Sequence, residues 1–247
     1  MSSIVKKIGD LAPLESFDPN AFKGDAKVSQ DVCNFVLTLA LIFNDLKDLI
    51  FAQVTLQGQK PIGTFKVNRS WGDYNGIDLH IWKLMVGLFH EIIDFVKRSE
   101  KVLADPFFLS VLNRLRKTER DIWLSLVDAS RAKTVPAENH FALLIRNKVV
   151  FHYDPKEIYW GYSTFFASGS PGAERALVSR GNDMASTRLF FADAAVTGYL
   201  TKKGQESEKM ILKTIDTLCQ LNLTLTEIVN HFIQKRGFPY KAEIEER

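Results

Sequence analysis

The chain has 247 residues, 46% of them apolar, 25% charged and 28 aromatic, 18 of these Phe. That is ordinary globular composition, long enough for a substantial core, and it excludes a disordered or low-complexity chain. The net charge of +3 is too small to indicate a nucleic-acid partner by itself. Residues 97–152, however, carry eleven Lys or Arg against six Asp or Glu, a local excess that suits an anionic partner.

Residues 1–27 contain Pro13, Pro19 and Gly24 without a sustained period and read as a lead-in with at most one short helix. Its start, MSSIVKKIGDLAPLESFD, lacks the apolar core of a signal peptide. The most apolar run, Val32 to Phe43, falls far short of the ~20 residues that cross a bilayer. Both features predict a cytoplasmic protein with no membrane contact. From Ser29 to about Gln57, Val32, Phe35, Leu39, Ile42, Leu46 and Leu49 form one helical stripe, with Ser29 as N-cap. Residues 58–76 are rich in Gly, Pro and Asn and read as a loop.

A second helix is expected from about Ile77 to Leu103. Asp105 followed by Pro106 opens a third, running to about Ala132. Thr134 and Pro136 then introduce a central helix through FALLIRNKVVFHYDP (141–155), and Asp154–Pro155–Lys156–Glu157 supplies an N-cap, an N1 proline and an N3 acid for the next. That aromatic helix reaches about Phe166, and SGSPG (168–172) ends it. Residues 176–191 resemble two short strands around Gly181–Asn182–Asp183, and a helix over 186–202 is an alternative. A last helix runs from about Glu206 to Lys235, followed by a polar tail over 238–247. The expected fold is mainly α: one helical-bundle domain over 28–237, with a small β-hairpin or irregular insertion near 170–200 and the 168–204 segment as a side appendage.

The central helix sets the chemical problem. On a wheel of ~100° per residue, Ile145, Val149 and His152 fall within a quarter turn of Phe141, while Leu143 and Val150 cover the opposite side. An all-round apolar helix is a buried one, yet Arg146, Asn147 and Lys148 sit at its centre. Buried charge needs a partner, hydrogen bonds or a ligand.

Arg146–Asn147 followed after four further residues by His152 resembles the signature of the HEPN superfamily. That resemblance implies an α-helical bundle, a metal-independent RNase of defence, toxin or RNA-processing systems, and a homodimer that shares its site. It also leaves room for an inhibitory partner protein, with RNA as substrate and no cofactor or metal. Some relatives carry a Tyr two residues past the His. Here Tyr153 follows His152 directly and Asp154 takes that place, which argues against an adenylylation-linked role.

The chemistry can be argued from the residues alone. RNA is cleaved without metal when a 2′-hydroxyl attacks its own phosphate. A histidine moves the protons, an arginine holds the phosphoryl oxygens, and an asparagine orients either. Arg146, Asn147 and His152 are therefore the candidate catalytic residues, with Lys148 and Tyr153 as candidate substrate contacts. Residues six apart on one regular helix point ~120° apart and ~9 Å along the axis. Convergence on one phosphate thus needs the joint at Tyr153–Pro155 or a second copy of the chain.

The same residues admit a structural role. His152 would end the Phe141–Ile145–Val149 stripe as a satisfied core residue, and Arg146 would pair with Asp94, Asp121 or Asp128. The chain is then a non-catalytic helical binding or assembly module. His90–Glu91–x–x–Asp94 lacks the second His of a zinc helix. Cys33 and Cys219 read as free thiols, the Tyr159–Phe166 aromatics as core or interface, and the alternating charges over 114–121 as a solvated helix face.

Overall fold

A computed structural model describes residues 12–13, 15–64, 67–131, 154–170, 173–203 and 207–242, with side chains left out for 201–203 and 207–215. These residues form a mainly α protein with one two-residue antiparallel sheet. Eight α-helices are described: α1 (Gln30–Gln57), α2 (Arg69–Arg98), α3 (Glu100–Leu103), α4 (Pro106–Leu112), α5 (Lys117–Arg131), α6 (Pro155–Phe166), α7 (Phe190–Lys203) and α8 (Ser207–Lys235). The sheet pairs β1 (Glu15–Ser16) with β2 (Lys241–Ala242), Glu15 opposite Ala242 and Ser16 opposite Lys241. No helix among the described residues is long and apolar enough to cross a membrane.

The described residues divide into two compact units, one drawn from Met1–Asp48, Glu91–Thr134 and Asp216–Arg247, the other from Leu49–His90 and Val135–Ile215. The first is closed by aromatic rings. Phe35 stacks on Phe95 at 5.0 Å and meets Phe108 edge-on at 5.2 Å, while Trp123 lies edge-on to both. Phe108 and Trp123 are fully buried, with Leu39, Leu46, Ile92 and Leu225 around this unit's core. Such ring pairs add about 0.5–1.5 kcal/mol each beyond the area they bury.

The lead-in and tail belong to the same unit. Asp18 caps a 3₁₀ turn at Pro19–Phe22, and Phe22 stacks on Phe232 of α8 at 5.5 Å. Arg236, its side chain only 4% exposed, binds Asp25 at 2.8 Å and donates to the Ala21, Asn20 and Lys23 carbonyls. The lead-in, expected to hold at most one short helix, carries that one turn, and the strand pairing of the two ends is an addition the sequence did not reveal. Those ends pair as β1 and β2, and Phe17 lies edge-on to Tyr240 at 5.6 Å.

Two expected helices are each divided. The second stops at Arg98, where the Ser99 hydroxyl donates to the Phe95 carbonyl, and α3 follows. The third is opened by Asp105 as expected, its carboxylate accepting from the Phe107 and Phe108 amides. It breaks after Leu112, and charged side chains make the break. Glu119, 6% exposed, accepts from the Arg116 amide at 3.0 Å and pairs with its guanidinium. Arg120 donates to the Asn113 and Leu115 carbonyls. Charges read as a solvated face thus cap the start of α5. Both cysteines are free, and burial raises both thiol pKa values.

Candidate functional site

Arg146, Asn147, Lys148, His152 and Tyr153 lie outside the described residues, as does the helix expected to carry them. The first described residue after them is Asp154. Its carboxylate accepts from the Lys156 and Glu157 amides at 3.1 and 3.4 Å, and Pro155 stands at the first helical position. The helix start expected directly after His152 is therefore present.

The unit containing α6 and α7 is built around a close helix crossing. A Cβ on Gly161 of α6 would overlap the Ala195 carbonyl, and one on Gly198 of α7 would overlap the Gly161 carbonyl. Two glycines facing each other let the backbones touch, and Trp160 then lies edge-on to Tyr199 at 5.9 Å. This crossing leaves Phe165, Phe166, Phe190 and Phe191 only half-buried. With Leu79 and Leu177 they line a largely apolar cavity of about 500 Å³.

The start of α2 forms the opposite wall. Residues 58–76 were expected to be a loop, yet α2 begins at Arg69 with the Asn68 carboxamide accepting from the Trp71 amide at 3.0 Å. The glycines that suggested a loop make room instead: a Cβ on Gly72 would stand 2.7 Å from the Phe190 ring, and one on Gly76 would overlap the Arg188 guanidinium. Arg188 bridges Asp73 at 3.1 Å and Asp193 at 3.0 Å, tying α2 to α7. A second cavity of about 210 Å³, lined in part by His80, Lys83, Arg188 and Asp193, shares Gly76, Leu79 and Asp193 with the first. Burial lowers the Lys83 pKa, partly offset by the Asp193 charge.

The Ser179–Arg188 backbone bridge gives the expected insertion near 170–200 a hairpin-like turn rather than two strands. Asp183 and Thr187 explain why. The Asp183 carboxylate accepts from the Ser186 amide at 2.8 Å, and the Thr187 hydroxyl accepts from the Gly181 amide at 3.1 Å, so side chains take bonds a ladder would use. The helical alternative over 186–202 corresponds to α7, which starts at Phe190.

Sequence reasoning did not find this cavity. The readable signals were two glycines four apart in Gly72 and Gly76 and the paired rings of 165–166 and 190–191. Among the described residues no group of three or more His, Cys, Asp or Glu is placed to hold a metal ion. Comparison with known proteins finds no matching family model, no similar curated protein and no similar solved structure.

Proposed function

We propose that the chain is a cytoplasmic, metal-independent endoribonuclease of the HEPN kind, with Arg146, Asn147 and His152 as its site. The observation that carries the reading is the Asp154-capped start of α6 within a mainly α chain. A helix that begins at Pro155 puts a helix start three residues after His152, which supports a joint there that would redirect His152 to act with Arg146. His152 then serves as acid and base, Arg146 neutralises the phosphoryl oxygens, and Asn147 orients them. Lys148 and Tyr153 contact the strand.

A homodimer is part of the proposal, because two-fold symmetry brings two Arg146–His152 sets together. Light scattering at micromolar concentration is expected to give the mass of two chains, and a monomer would remove the shared site. The enzymatic test sets activity against stability. His152→Ala and Arg146→Ala are each expected to abolish cleavage of mixed RNAs with little change in melting temperature, since both groups serve one transition state. Loss of ~1 kcal/mol or more of stability, with no cleavage by the wild type, would instead favour a non-catalytic binding module.

A further inference from the structure

We infer that the α2–α6–α7 cavity is a binding site for a nucleotide, taken either free or as the terminal unit of an RNA strand. The inference does not rest on Arg146 or His152. Its volume of about 500 Å³ lies within the roughly 300–1,000 Å³ of small-molecule sites. Its walls carry the half-exposed rings of Phe165, Phe166, Phe190 and Phe191. Half-exposed rings inside a concavity suit a flat heteroaromatic ring, since aromatic contacts tolerate any base.

The polar residues of the wall select against a plain hydrocarbon. Arg69 and Arg175 are exposed at the cavity and make no ion pair among the described residues. Asp193, the acid on the wall, is held at 3.0 Å by Arg188, which also holds Asp73, so its charge is partly offset. The cavity therefore has at its edge two guanidinium groups without an ion pair among the described residues, and a guanidinium is the side-chain group suited to bidentate contact with a phosphate. Asn75 adds an amide able to meet a base edge. Gly72 is part of the construction, because any side chain there would displace the Phe190 ring that forms the wall. A glycine inside α2 costs about 1 kcal/mol against alanine, which the room it leaves for that ring explains.

The test is isothermal titration of the full chain with adenosine 5′-monophosphate, and of its His152→Ala variant with a short 5′-phosphorylated oligoadenylate that the variant should leave intact. Octanoate is the aliphatic anion for comparison. Saturable binding of the nucleotide is expected, weakened roughly tenfold by Arg69→Ala and again by Arg175→Ala, about 1.4 kcal/mol for each. Both arginines are exposed, so these variants keep the fold. Ala194→Phe, which places a ring inside the cavity, is expected to abolish binding. Tighter binding of the oligoadenylate identifies a strand terminus as the ligand, and tighter binding of the monophosphate a free nucleotide. Absence of nucleotide binding at millimolar concentration, equal binding of octanoate, or unchanged affinity in both arginine variants would overturn the inference. RNA cleavage is read separately, so a failure of the proposed nuclease and a failure of this site are distinct results.

Discussion

The two units are closed by opposite means. In one, large rings fill the space: Phe35, Phe95, Phe108 and Trp123 meet at centroid distances of 5.0 to 6.3 Å. In the other, glycines at 161 and 198 bring two helices together, and half-buried rings near them surround a cavity. The same residue type, phenylalanine, is a core element in the first and a wall in the second. Filling with rings yields stability, whereas closing with glycines leaves concave surface, and concave surface is where ligands bind.

That contrast predicts unequal responses to one kind of change. Phe108→Ala opens a hole in a packed core and is expected to cost about 3–5 kcal/mol. Phe190→Ala removes a half-buried wall ring and should cost clearly less. Urea denaturation of both variants checks the order, and equal costs would erase the distinction between core and wall. The opposite change strikes the other unit. Gly161→Ala adds a methyl where the Ala195 carbonyl already stands, with an expected loss of about 1–3 kcal/mol. A neutral result would mean that the helices separate without penalty.

A smaller effect separates the units by pH. Burial raises the Glu119 carboxyl, but the Arg116 hydrogen bonds and charge overcome it and leave the pKa below that of an ordinary glutamate. A carboxylate with a depressed folded pKa contributes stability above its unfolded value of ~4.3, and that contribution is lost as pH falls through the folded value. Glu119→Gln should therefore be less stable than the wild type at neutral pH, with the gap closing under acid, below pH ~4. A gap independent of pH would show that Arg116 and Glu119 are held by packing alone.

The sequence made some elements legible and hid others for identifiable reasons. The Val32–Phe35–Leu39–Leu46 stripe placed α1, and Asp105–Pro106 and Asp154–Pro155 placed the starts of α4 and α6, because periodicity and capping are local signals. Glycine misled at 58–76, since Gly72 and Gly76 serve contacts with Phe190 and Arg188, more than a hundred residues away. The break at 113–116 was hidden because Glu119 and Arg120 act on a turn that simple alternation of charge does not reveal. The β1–β2 pair joins residues over two hundred positions apart, and neither two-residue strand carries a period of its own. Of the candidate site, the helix start behind His152 was legible from Asp154 and Pro155. The cavity was not, because its walls come from three separate segments.

Metal-free cleavage at the proposed site is tested most directly by the fate of RNA in chelator. Purified wild-type protein incubated with mixed RNAs in excess EDTA is expected to cleave them and leave 2′,3′-cyclic phosphate ends, the product of 2′-hydroxyl attack. His152→Ala should leave the same RNAs intact. Cleavage that stops in EDTA, or that proceeds equally in His152→Ala, would contradict the account.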